Sequence, residues 1–404
     1  MIDSLRNTYH RLVNELNFST HRYLYNRFDI SGKLTGLIGP RGVGKTTLLL
    51  QFIKDKIKNL DDAFYFSADH IYFNSSTLFD FVQDLYENEG TALFFIDEIH
   101  KYKNWNQEIK NIYDSFPSIK IVFSGSSSID LIQGTHDLSR RGFLYHLKGL
   151  SFREFIQFKT GAQYPAVDFE AIVSNHMRLS SELSQIPIIK GLFREYLEKG
   201  YYPFVLNEGE HLYDKIGYVI EKTIFEDIAG FFNLPTANLH YFKKMLIYLS
   251  TIPPGEINIH NLARNLGVDD KTASSYITML QKTGLVTLLF SDKRGGALIR
   301  KPEKVFLENT TLYHAVCYGL GKQADKGNIR ELFFVNSLLN AGENVFYSKK
   351  AGDYMVNDCV FEIGGKNKKE KQIRNAKGRA FCVKDDVLIG SKSAIPLYLF
   401  GFLY

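Results

Sequence analysis

Cysteine is scarce in this 404-residue chain: Cys317, Cys359 and Cys382 are scattered, and no two stand at CxxC spacing. That argues against a disulfide framework or a structural zinc site and fits a reducing cytoplasm. Long apolar runs are also missing. No stretch reaches the roughly 18 uninterrupted apolar residues of a membrane span, and the segment Met1 to Phe18 lacks the basic start and continuous apolar core of a signal peptide. Neither an internal repeat nor a low-complexity linker is detectable. The expectation is a soluble, cytoplasmic protein with no membrane partner. Charge bias is weak: 49 Lys and Arg against 44 Asp and Glu leave +5, too little over this length to demand or exclude a nucleic-acid partner. The one dense patch, Lys366 to Arg379, reads first as a solvated helix face.

What remains is ordinary globular material, 45% apolar and 23% charged, in a chain long enough for two or three domains. From Leu34 to Phe158 short apolar runs alternate with longer amphipathic segments, the pattern of parallel strands joined by helices. Strands are expected at Leu34–Ile38, Ala63–Ser67, Ala92–Ile96, Ile119–Ser124 and Phe143–Leu147. Helices are expected after Lys45, around Leu78–Glu87 and around Trp105–Ser115. Ahead of them, Ile2, Leu5, Tyr9, Leu12 and Leu16 recur at helical spacing. Helical periodicity then dominates to about Asn233, followed by a helical unit with a hairpin and a last mixed unit. The domains expected are 1–160, an α/β P-loop module with its N-terminal helix; 161–238, a helical lid or connector; 239–327; and 328–404.

Gly39-Pro40-Arg41-Gly42-Val43-Gly44-Lys45-Thr46 fits G-x-x-x-x-G-K-[ST] in full, with a strand before it and an apolar helix start after it. Glycines let the backbone amides turn onto phosphates, and the helix N-terminus adds its own amides. Lys45 would reach the β- and γ-phosphates of ATP, Thr46 would hold Mg2+, and Thr47 closes the segment. The run Ala92 to Glu98 supplies acids at the end of a buried strand: Asp97 to orient the metal or its water, Glu98 to polarise the attacking water. Ser124 or Ser126, in Ser124-Gly125-Ser126-Ser127, could sense the γ-phosphate, although such a run is also ordinary turn chemistry. Of Arg140 and Arg141, Arg141 is the better candidate to stabilise transition-state charge, in cis or in a neighbouring subunit of a homo-oligomer.

Together, Gly39–Thr46, the Phe-Ile-Asp-Glu-Ile stretch, Ser-Gly-Ser-Ser, the arginine before the fifth strand and Leu150-Ser-Phe-Arg-Glu-Phe155 resemble the prokaryotic AAA+-like ATPases that carry a C-terminal domain of unknown function. The resemblance covers essentially the whole chain. It implies an ATPase module followed by a winged helix and a degenerate nuclease-type fold of the PD-(D/E)xK kind. Asp97-Glu98-Ile-His100 also looks like a box of superfamily-two helicases, but no second RecA-like module accompanies it.

Residues 239–327 have features of a winged helix. A helix from Asn261 ends at Gly267, Asp269 and Asp270 can cap a second helix over Lys271–Lys282, and strands Gly284–Phe290 and Ala297–Lys301 would flank a wing. Lys271, Thr272, Ser274 and Ser275 could enter a DNA groove while Lys293, Arg294 and Arg300 contact phosphate. A rigid lid or protein contact is the equal alternative. In 328–404, Glu331, Asp353 and Glu362 have the order of nuclease acids, and Asp353 with Glu362 form a candidate second metal site. The lysine that such a site needs is out of place: Gly364 stands where it belongs, and a bulge at Gly364-Gly365 would have to bring in Lys366. Gln372 and the basic helix around it are compatible with DNA contact or plain surface. The expected function is an ATPase whose cycle repositions the winged helix and C-terminal domain on DNA or a protein partner. An ATP-gated, magnesium-dependent DNA nuclease and a slow ATP-dependent signalling switch are the rivals.

Overall fold

A computed structural model describes residues 2–18, 20–125, 141–206, 209, 211–253, 257–291, 302–348, 351–369, 373, 376 and 378–404. The chain divides into two compact units, Met1–Gly149 and Leu150–Tyr404. The first is built on strands β1 (Leu34–Ile38), β2 (Ala63–Ser67), β3 (Leu93–Asp97), β4 (Lys120–Gly125) and β5 (Phe143–His146). They pair in the order β2-β3-β4-β1-β5, and every pairing is parallel. Such a sheet needs helical crossovers, which are α2 (Lys45–Lys56), α3 (Leu78–Glu89) and α4 (Trp105–Ser115). Strands covered on both faces read as unbroken apolar runs, as in the buried Phe94, Phe95 and Ile96 of β3.

Helix α1 (Ile2–Glu15) buries Leu5, Tyr9 and Val13. The ring of Tyr9 lies 6.0 Å from that of Phe64 and 6.3 Å from that of Tyr65. Leu12, expected on the buried face, is exposed; steps of four residues from Leu5 carry the core stripe through Tyr9 to Val13 instead.

Between Leu150 and Lys282 the regular secondary structure among the described residues of the second unit is all helical, beginning with Phe152–Thr160. Helix Ile259–Leu266 ends at Gly267, whose φ is +73°, and Asp269 caps the next helix, Asp270–Lys282, by accepting the Thr272 amide. Strand β6 (Val286–Leu289) then pairs antiparallel with β7 (Lys304–Leu307). The described partner of β6 is thus Lys304–Leu307; the expected strand Ala297–Lys301, with Lys293, Arg294 and Arg300, lies outside the described residues. The unit closes with helix Lys326–Asn340 and a mixed sheet, order β12-β11-β10-β9-β8, made of β8 (Val345–Tyr347), β9 (Tyr354–Val356), β10 (Cys359–Gly364), β11 (Arg379–Lys384) and β12 (Ala394–Pro396). Among the described residues, no helix is long and apolar enough to cross a membrane.

Candidate active site

The loop after β1 is shaped by its glycines. Gly42 and Gly44 adopt φ of +81° and +93°, a region where a side chain is costly. A Cβ on Gly39 would stand 2.2 Å from the carbonyl oxygen of Leu147, so the loop's first residue tolerates no side chain. Val43 is fully buried in the core with Leu37, Leu48 and Leu147; its side chain anchors the loop, leaving only its backbone for a ligand. Pro40 has no amide to offer. No side chain caps α2 at Gly44, which leaves the helix's first-turn amides free of a side-chain cap. Lys45 is buried, and its Nζ donates to the carbonyls of Gly39 and Pro40, each at 2.9 Å. An ammonium held among loop carbonyls, with Gly42 and Thr46 exposed beside it, suits a polyphosphate.

Parallel register sets the acids beside this loop. Ile96 is level with Phe123 and Leu37 with Ser124, so the carboxyl ends of β3, β4 and β1 are adjacent, the usual ligand edge of such a sheet. Asp97 is buried. Its Oδ2 accepts the Thr46 hydroxyl at 2.6 Å and the Tyr65 hydroxyl at 2.9 Å. Its Oδ1 accepts the Ser124 hydroxyl and, at 3.1 Å, the Glu98 amide. Burial and the Asp97 charge push the Tyr65 phenol well above its usual range, so it remains a donor. Glu98 leaves the strand with φ +51°, and its Oε2 lies 3.6 Å from Nε2 of the buried His100. Thr46, Asp97, Glu98, Ser124 and Lys45 are thus gathered at one edge, with Arg41 and Thr47 half-buried on the same loop.

Arg141 is elsewhere. Register pairs Phe143 with Thr35 and His146 with Ile38, which puts Arg141 at the amino end of the sheet, roughly 15 Å or more from the loop. There it meets Asp114 at 3.5 Å and the Tyr113 ring. Within one chain it does not join the other candidates. Ser126, Ser127 and Arg140 lie outside the described residues.

Two site residues carry no motif. Tyr65 reads in sequence as a core aromatic of β2. Arg22, also buried, donates to the carbonyls of Val43, Lys148 (2.7 Å) and Gly149 (3.0 Å), tying the loop to the segment after β5. Helical or strand periodicity cannot reveal either partnership, because both join distant parts of the chain.

The second set of acids is partnered from within. Glu331 receives Lys304 Nζ at 2.9 Å and the Tyr354 hydroxyl. Burial still raises its carboxyl above the ordinary range. Asp353 Oδ2 accepts the Ile363 amide at 2.8 Å. The fully buried Glu362 pairs with Lys368, and burial raises its carboxyl too. Lys366, expected there, is exposed. A turn closed by the Lys368 amide on the Gly365 carbonyl at 2.9 Å lays the Lys368 side chain against Gly364, where a Cβ would be 2.6 Å away. Among the described residues, no three His, Cys, Asp or Glu side chains form a group that could hold a metal ion. Gln372 is outside the described residues.

Residues 31–156 match the family model described as AAA domain, and residues 190–326 match one described as a domain of unknown function. The first match encloses the loop, Asp97, Glu98, Ser124 and Arg141. It supports a P-loop ATPase. No curated protein matches the chain. Among solved structures, AMPPCP-bound DnaA from Aquifex aeolicus is similar at 15% identity and a TM-score of 0.25, over 69% of this chain and 88% of that one. PCH-2 from C. elegans is similar at 13% identity and a TM-score of 0.24, over 68% of each chain. Likeness at this level carries no weight for function.

Proposed function

We propose that the first unit binds ATP with magnesium and hydrolyses it, and that this cycle repositions a winged helix (239–327) and a nuclease-like C-terminal domain (328–404) on DNA or a protein partner. The observation that carries the reading is the convergence of Thr46, Asp97 and Ser124 beside the glycine loop, with Glu98 at the edge. The backbone amides and Lys45 bind phosphate. Thr46 would hold magnesium and Asp97 would orient the metal or its water; when bound, the ion supplies charge neutralisation at the phosphates. Glu98 accepts the proton of the attacking water. Arg141, at the far end of the sheet, acts on the nucleotide of a neighbouring copy rather than its own. The test is phosphate release by the purified full chain with ATP and magnesium, with and without duplex DNA. Release no faster than the uncatalysed rate in both conditions overturns the reading.

Contact with DNA draws on the exposed Lys271 and Ser275 at the start of helix Asp270–Lys282. Asp269 and Asp270 stand at the same end and oppose phosphate, so a protein partner fits equally well. DNA binding that weakens steeply with salt selects the first. A magnesium-dependent nuclease is disfavoured by the pairing of Glu331 with Lys304 and Glu362 with Lys368. Cleavage of plasmid DNA by the full chain that vanishes in Asp353→Ala would reinstate it.

A further inference from the structure

We infer that Tyr65 is a positioning residue of the nucleotide site, holding the Asp97 carboxylate so that Thr46 presents its hydroxyl oxygen to magnesium; this rests on the ATPase reading above. An ionised carboxylate has about four lone-pair sites. All four have protein donors here: Thr46 Oγ1 and Tyr65 Oη on Oδ2, Ser124 Oγ and the Glu98 amide on Oδ1. A direct bond from Asp97 to a cation would have to displace one of them. Asp97 therefore works as the acceptor of the Thr46 proton, which turns the lone pairs of an exposed hydroxyl outward.

Three of the four donors come from parts of the recognised motifs or the strand end between them. Tyr65 does not: it belongs to β2, at the sheet edge beyond β3. It is 6% exposed, and its ring packs near Tyr9. Without its hydroxyl, Oδ2 keeps a single partner, and the carboxylate is free to tilt away from Thr46 or to take a water in a site otherwise closed to it.

The experiment compares the full-length wild type with Tyr65→Phe, which keeps the ring and removes only the oxygen. Affinity for a non-hydrolysable ATP analogue is measured by calorimetry with and without magnesium. In Tyr65→Phe the gain in affinity conferred by magnesium should shrink at least about fivefold, the order expected for a lost hydrogen bond to a charged group, while metal-free affinity changes little. Tyr9→Phe is the control: it deletes a buried hydroxyl that donates to the Leu60 carbonyl at 3.2 Å in the same core, and the magnesium gain should stay at the wild-type value. A full gain in Tyr65→Phe overturns the inference. So does an equal loss in both variants, since that would mark core damage. If the wild type itself binds the analogue without any help from magnesium, the inference falls together with the ATPase reading; a magnesium gain in the wild type that survives in Tyr65→Phe sinks the inference alone.

Discussion

Glu98 occupies a backbone region that costs an L-residue about 1 kcal/mol or more, with φ at +51°. Strain of this kind persists where surrounding structure enforces it, and here the Glu98 amide is fixed on Asp97 Oδ1. Glu98→Gln keeps shape and backbone while removing the proton acceptor. Turnover should fall at least about tenfold with ATP binding intact; equal turnover in the two proteins would move the base elsewhere. Lys45 presents the complementary case. Its ammonium is already enclosed by loop carbonyls, so Lys45→Ala removes a preplaced charge-assisted donor to phosphate. Calorimetry should show nucleotide affinity lost or severely weakened, and an unchanged affinity would contradict the role given to the loop.

The element that makes the site is the unit β1, loop and α2, and its glycines serve different purposes. Gly42 and Gly44 permit the turn. Gly36, inside β1, allows close packing: a Cβ there would lie 2.5 Å from Leu144 Cδ2 and 2.6 Å from the Phe123 ring. Gly36→Ala should destabilise the first unit by about 1–3 kcal/mol, the usual cost of overpacking, read as a lower denaturant midpoint. A second element explains a stretch noticed in the sequence only by resemblance. Ser151-Phe-Arg-Glu154 is a capping box, in which the Ser151 hydroxyl accepts the Glu154 amide and Glu154 accepts the Ser151 amide. Both residues are buried, so Ser151→Ala should cost about 1–2 kcal/mol, visible as a lower melting temperature, with the nucleotide loop untouched.

At the scale of the molecule, the last 77 positions are not self-sufficient within the second unit. Phe333 meets Phe193, Phe361 meets Phe169, Phe381 meets His176 and Phe402 meets Phe152, while Lys304 from β7 is buried against Glu331 and Tyr354. A fragment 328–404 would expose this aromatic surface. It should show no cooperative thermal transition, whereas a fragment 150–404 should unfold cooperatively. A cooperative transition in the short fragment would show that its own sheet suffices. Any assay for DNA cleavage therefore belongs on the full chain.

The sequence by itself determined the α/β character of the first unit, with parallel strands joined by helices, and singled out the loop, Asp97, Glu98 and Ser124 as candidates. Its strands, turns and helix starts are written in contiguous residues, and a glycine turn between an apolar strand and a helix has a local signature that needs no distant partner. The limits of β3 and β4 and the end of β5 moved by one residue, because a strand's ends depend on neighbours in register. Tertiary structure alone decided the rest. Tyr65 and Arg22 gained their roles from contacts with residues 32 and 21 positions away, Arg141 was placed at the far end of the sheet by register, and Lys368 rather than Lys366 met Glu362 because a turn folded it back over Gly364. Hydrogen-bond partners and strand register are relations between separated segments, and residue spacing along one segment does not encode them.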